Sequence, residues 1–176
     1  PEFQFQLART HYLLTKWLRP GQSPMVVEDG GPPDGPGGFR PPRGEEPSGM
    51  RNSETREHLV AAIGILEPLC SDEAGEPRYR HLLASCLRGM TSEQYSQQTR
   101  EEVDAEERGL RILRTLVAEF SDVAEYQHSL LDALAAINTL HRSAIHRNDL
   151  PPVEKRLREG LAVGNRLVAQ HPHVPE

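Results

Sequence analysis

Apolar residues recur along this chain at helical rather than strand spacing. Phe3, Leu7, Tyr12 and Leu14 fall close to one helical stripe, and Leu59, Ile63, Leu66 and Leu69 form a second. Tyr79, Leu83 and Leu87 make a third, and Leu110, Leu113, Leu116 and Val117 a fourth. Tyr126, Leu130, Leu134 and Ile137 make a fifth, and Leu157, Leu161, Leu167 and Val168 a sixth. No segment convincingly alternates apolar and polar residues as a half-buried strand does. The pattern predicts an all-α fold of about six amphipathic helices.

Local signals place some boundaries. Thr99 with Glu102, and Asp122 with Glu125, have the spacing at which a cap side chain and an acid three residues later satisfy the free amides of a helix start. Asp149 before Pro151 and Pro152 marks another start, since proline costs nothing in a first turn. Between about residues 19 and 50 the pattern breaks. Pro20, Gly21, Gly30-Gly31-Pro32-Pro33 and Gly35-Pro36-Gly37-Gly38 forbid regular structure, so this stretch is expected to be a disordered insertion, with a polyproline recognition segment as the alternative.

Composition narrows the function classes. A length of 176 residues suffices for one domain with a real core. Leu and Ala supply much of the apolar material and aromatic residues are few, which suits helix-on-helix packing. The net charge of -6 argues against a phosphate-backbone binder, so no nucleic acid is expected. No apolar run approaches a bilayer span and no leader precedes the first helix, so a soluble, cytoplasmic fragment without a membrane role is expected. Two cysteines cannot supply a dense disulfide framework, which fits a reducing compartment.

An internal repeat organises the whole chain. Gly109 through Glu125 aligns without a gap on Gly160 through Glu176, with identities at Gly109/Gly160, Leu110/Leu161, Leu116/Leu167, Val117/Val168, Ala118/Ala169, Val123/Val174 and Glu125/Glu176. After Glu125 comes Tyr126-Gln127-His128-Ser129-Leu130-Leu131, and the same phase recurs as Tyr79-Arg80-His81-Leu82-Leu83-Ala84 and as Phe3-Gln4-Phe5-Gln6-Leu7-Ala8. Three two-helix units follow, at about 1–76, 77–123 and 124–176. The chain opens on Pro1 rather than Met and both its ends fall at one point of the repeat, which reads as a whole number of units from a longer protein. An aromatic residue is expected after Glu176.

These units resemble the tetratricopeptide repeats (TPR), in particular the degenerate, lengthened arrays of large bacterial signalling proteins such as Ser/Thr kinases and sigma-factor relatives. Leu7-Ala8, Leu83-Ala84 and Leu130-Leu131 sit where that family has its Leu-Gly pair, and Ala62, Gly109 and Gly160 where it has the small residue of the tightest helix crossing. The units are longer than the family's and have no Trp at its first-helix Trp position. The resemblance implies an α-solenoid whose first helices line a concave face that receives a peptide or helix of a protein partner. Carried over residue by residue, the partner-binding positions are Phe5, Arg9 and Tyr12, then His81, Ser85 and Arg88, then His128 and Asp132. Arg9 and Arg88 would meet acidic side chains or a terminal carboxylate.

Other chemistry is weaker. His81 and His128 share one repeat position, so their recurrence reads as structural, and neither His141 with His146 nor His171 with His173 has helical zinc-site spacing. Cys70 matches Val117 and Val168, and Cys86 matches Thr10 and Ala133, so both read as small packing residues, a disulfide between them being the alternative. The acidic run Glu101, Glu102, Asp104, Glu106 and Glu107 reads as a solvated helix face near a helix N-terminus. No phosphate-cradling glycine motif, nucleophile elbow or kinase catalytic loop is present. A non-catalytic interaction module without cofactor or metal is expected. The alternatives are a spacer or regulatory linker in a kinase-like or sigma-factor-like parent, and then a cryptic enzyme or metal protein.

Overall fold

The computed structural model describes residues 1–18, 48–71, 76–90, 99–136 and 151–170. These residues form six α-helices and no strand: α1 (Glu2–Leu18), α2 (Ser48–Cys70), α3 (Pro77–Gly89), α4 (Arg100–Glu119), α5 (Ala124–Ala135) and α6 (Pro151–Gln170). Most of the Pro/Gly-rich stretch lies outside them, but its last residues, Ser48–Met50, already belong to α2. Asp149, Ile137, His141, His146, His171 and His173 also lie outside the described residues.

Start signals act unequally. Thr99 Oγ1 accepts from the Glu102 amide at 3.3 Å while Glu102 accepts from the Thr99 amide at 3.3 Å, a reciprocal cap on α4. The parallel expectation for Asp122 and Glu125 fails: Val123 occupies the cap position of α5 and no side chain bonds there. Pro77 opens α3 and Pro151 opens α6, where a missing amide hydrogen leaves nothing unsatisfied.

Each helix packs on the next in sequence, α1 on α2, α2 on α3, α3 on α4, α4 on α5 and α5 on α6, and α1 also touches α3. Two apolar clusters result. One gathers Phe5 and Ala8 of α1, Leu59, Ala62 and Leu66 of α2, and Tyr79, Leu83, Cys86 and Leu87 of α3. The other gathers Leu110, Leu113, Leu116 and Val117 of α4 with Leu130, Ala133 and Leu134 of α5 and Val163 of α6. Ile112 packs against both.

For α2 to α5 most of the predicted stripe residues are buried, but for α1 and α6 much of the stripe faces water. Phe3 is 81% exposed, and Leu7 and Leu14 stand at 43% and 42%, while α1 buries Phe5, Ala8 and Thr15 and half-buries Tyr12. Leu161 and Val168 of α6 are 68% and 71% exposed, while Val153 and Val163 are buried. Each end helix carries apolar residues on two faces, and only one of the two meets a neighbour.

Ion pairs link alternate helices. Glu67 of α2 meets Arg108 of α4, and Arg114 of α4 grips Glu159 of α6 through two bonds of 2.7 and 2.6 Å. The expected solvated face of α4 is therefore only partly solvated. Glu102 is 5% exposed and takes Arg56 Nη1 at 3.0 Å, while Glu106 and Glu107 hold the buried Arg156 of α6. A buried guanidinium requires that compensation.

Candidate binding surface

The eight positions expected to meet a partner divide into a seam and a surface. Phe5 is 7% exposed, with its ring centroid 4.8 Å from that of Tyr79 in α3 and the Arg78 guanidinium 5.0 Å from its face. It is a core residue and cannot serve as a groove residue. His81 occupies a similar place one helix pair later. Its Nε2 lies 2.8 Å from Ser129 Oγ, its Nδ1 3.6 Å from Glu125, and its ring 5.1 Å from that of Tyr126, all in α5. Burial pushes its pKa down against the opposing pull of Glu125.

Arg88 is also a seam residue. Its Nη1 donates to the Ser129 carbonyl at 3.3 Å, and its Cγ would lie 3.2 Å from a Cβ built on Gly109. The expected role of Arg88 as a free fork for a partner's carboxylate is replaced by a tie between α3 and α5. Ser129, absent from the expected set, receives both His81 and Arg88. No local signal marks such a role, since Arg88 bonds the backbone carbonyl of Ser129 and His81 reaches its hydroxyl from another helix.

The remaining positions face outward to different degrees. Arg9 is exposed, Tyr12 is half-buried beneath Lys16, whose Nζ is 5.1 Å from the ring centroid, and the half-buried Ser85 donates to the His81 carbonyl. His128 and Asp132 are 66% and 58% exposed and pair along α5 at 3.4 Å. Arg9, Ser85 and Asp132 thus stand at one repeat position on α1, α3 and α5, with a cation at one end and a carboxylate at the other.

Both cysteines are free, and burial raises both thiols, Cys86 to about 12. Among the described residues no group of three or more His, Cys, Asp or Glu is placed to hold a metal ion, and no helix is long and apolar enough to cross a membrane. An unanticipated pair, His11 of α1 and His58 of α2, sets two Nδ1 atoms 3.0 Å apart, so one ring must donate while the other accepts. Comparison with protein-family models, curated proteins and solved structures gives no match.

Proposed function

We propose that the protein is a TPR-like array of three stacked helix pairs that binds a peptide or helix of another protein across α1, α3 and α5. The reading takes it as a non-catalytic module of a larger signalling or regulatory protein. Stacking is supported by contacts that recur at matching repeat positions. Phe5 on Tyr79 corresponds to His81 on Tyr126. Arg80 on Glu119, at 2.7 Å, corresponds to Gln127 on Gln170, at 2.7 Å, with an amide pair in place of a charged one. Glu67 on Arg108 corresponds to Arg114 on Glu159 with the charges reversed. Such conserved placement with changed chemistry is what nearest-neighbour packing between diverged units produces.

The observation that carries the binding role is the line of Arg9, Ser85 and Asp132. Their side chains lie outside both apolar clusters, and the outer two are exposed with opposite charge. A peptide crossing the helices with an acid near α1 and a base near α5 would meet both. Selection of displayed peptides on the purified protein tests this reading. Enriched sequences should carry that polarity, and the double variant Arg9→Glu, Asp132→Lys should weaken binding by about tenfold or more, which is roughly 1.4 kcal/mol. If no sequence is enriched, or the double variant binds equally well, the face is not a peptide groove and a spacer role takes its place.

A further inference from the structure

One polar contact falls where the repeat elsewhere places apolar packing. His11 of α1 and His58 of α2 set their Nδ1 atoms 3.0 Å apart, with ring centroids 5.2 Å apart and planes at 44°. At the position of His11 the later units have Leu87 and Leu134, 4% and 1% exposed. At the position of His58 they have Ala105, which packs against the first cluster, and Arg156, which is ion-paired. An imidazole where its counterparts bury leucine forgoes apolar stabilisation. Both rings are half-buried, so solvent still reaches them.

The helices beneath fix the two rings. Ala8 lies one turn before His11 and Ala62 one turn after His58, both fully buried, and Leu59 beside His58 is 1% exposed. These residues pack α1 on α2 within the first cluster, so the spacing of the two nitrogens is set by the core. At the bond lengths of about 2.0–2.1 Å that imidazole makes to zinc-sized ions, nitrogens so placed subtend about 95° at the ion. That is close to the cis angle of a square-planar or octahedral ion, whereas a tetrahedral ion needs its nitrogens about 3.3 Å apart.

We infer that His11 and His58 form a bidentate site for a divalent late transition ion, Cu(II) or Ni(II) in preference to Zn(II), that clamps α1 to α2. Imidazole suits these ions, and tetragonal geometry is theirs. The ion takes the place of the hydrogen bond. The ring that donates from Nδ1 releases that proton to solvent and takes one on Nε2, which leaves two neutral rings with Nδ1 lone pairs. Each ring turns about χ2, a broad torsion in histidine, to aim its lone pair at the ion. Among the described residues no third His, Cys, Asp or Glu joins the pair, and water takes the remaining positions. The two histidines lie 47 residues apart in sequence, so the unfolded chain holds no preformed pair and ion binding adds to the stability of the fold. The site does not rest on the peptide face proposed above.

Calorimetric titration of the full chain with NiCl2, CuCl2 and ZnCl2 tests the inference, beside the variants His11→Gln, His58→Gln and His128→Gln. Glutamine keeps a hydrogen-bonding side chain at each place, and melting without metal checks that each variant folds. The wild type should bind one equivalent of Ni(II) or Cu(II) more tightly than the rest of its eight histidines do. His11→Gln and His58→Gln should each weaken that site by about tenfold or more, and His128→Gln should leave it unchanged. Nickel at about a hundred times its Kd should raise the wild-type melting temperature by about 5 °C or more and that of the first two variants far less. Tight binding retained in both variants would place the ion on other histidines. Melting unmoved by nickel and copper would leave the pair as a hydrogen bond across the seam, and zinc bound more tightly than nickel would overturn the tetragonal assignment.

Discussion

His81 is half-buried between α3 and α5 beside Ser129 and Glu125, and its neutral form is favoured there. Its folded pKa lies below the ordinary value of 6.5, so the unfolded chain binds the proton more readily. The associated stability is present above that ordinary value and is lost as pH falls from it through the folded pKa. Glu119 and Glu159, held below 4.5 by hydrogen bonds from Arg80 and Arg114, add a loss of the same sign at lower pH. Urea midpoints should therefore fall as pH drops from neutral through the range below 6.5 where His81 titrates, and fall again below the ordinary carboxylate range. In His81→Phe the first fall should shrink and the second remain, because Phe5 already fills the matching position against Tyr79. A first fall of unchanged size in the variant would place the titrating group elsewhere. The sequence marks His81 and His128 as equivalent, and it cannot say that one is sealed in a seam and the other open. That difference arises from what stands beside each helix, and no local spacing records it. Phe5 and Arg88 read as partner-binding positions for the same reason.

At the scale of the helix, legibility depended on whether the determining contacts were local. The α4 start was readable because Thr99 and Glu102 satisfy one another three residues apart. The equally spaced Asp122 and Glu125 form no such box, since the chain turns through Ser121 and Asp122 before Val123 leads into α5. Helix crossings were readable in kind from the small residues, but their closeness was not. A Cβ on Gly109 would stand 3.1 Å from the Ala84 carbonyl oxygen and 3.2 Å from Arg88 Cγ, whereas one on Gly160 would meet Leu134 Cβ at an ordinary 3.5 Å. Alanine favours a helix interior over glycine by up to about 1 kcal/mol. Gly160→Ala should therefore stabilise by about 0.5–1 kcal/mol. Gly109→Ala forces a backbone oxygen aside, an overpacking cost of about 1–3 kcal/mol that exceeds the propensity gain, so it should lower the melting temperature. Equal shifts in the two variants would mean that the α3–α4 crossing relaxes freely.

For the whole molecule, the internal alignment of Gly109–Glu125 on Gly160–Glu176 says which positions are equivalent and not which residues meet, so pairs such as Glu67–Arg108 and Arg114–Glu159 lie outside its reach. It did not foretell that α1 and α6 would turn their more regular stripes to solvent, because periodicity identifies an apolar face and not the element that covers it. The consequence is an uneven distribution of stability. Packing in this chain joins each helix to its near neighbours in sequence, consecutive helices above all, so opening one end need not disturb the other. Helices α3 and α4 are covered on both sides, whereas α1 and α6 are covered on one. Amide exchange measured at high dilution should be slowest in α3 and α4 and fastest in α1 and α6, with a gradient between them. Uniform protection over all six helices at high dilution would instead reveal one all-or-none unit, and nearest-neighbour stacking could not then be the source of stability.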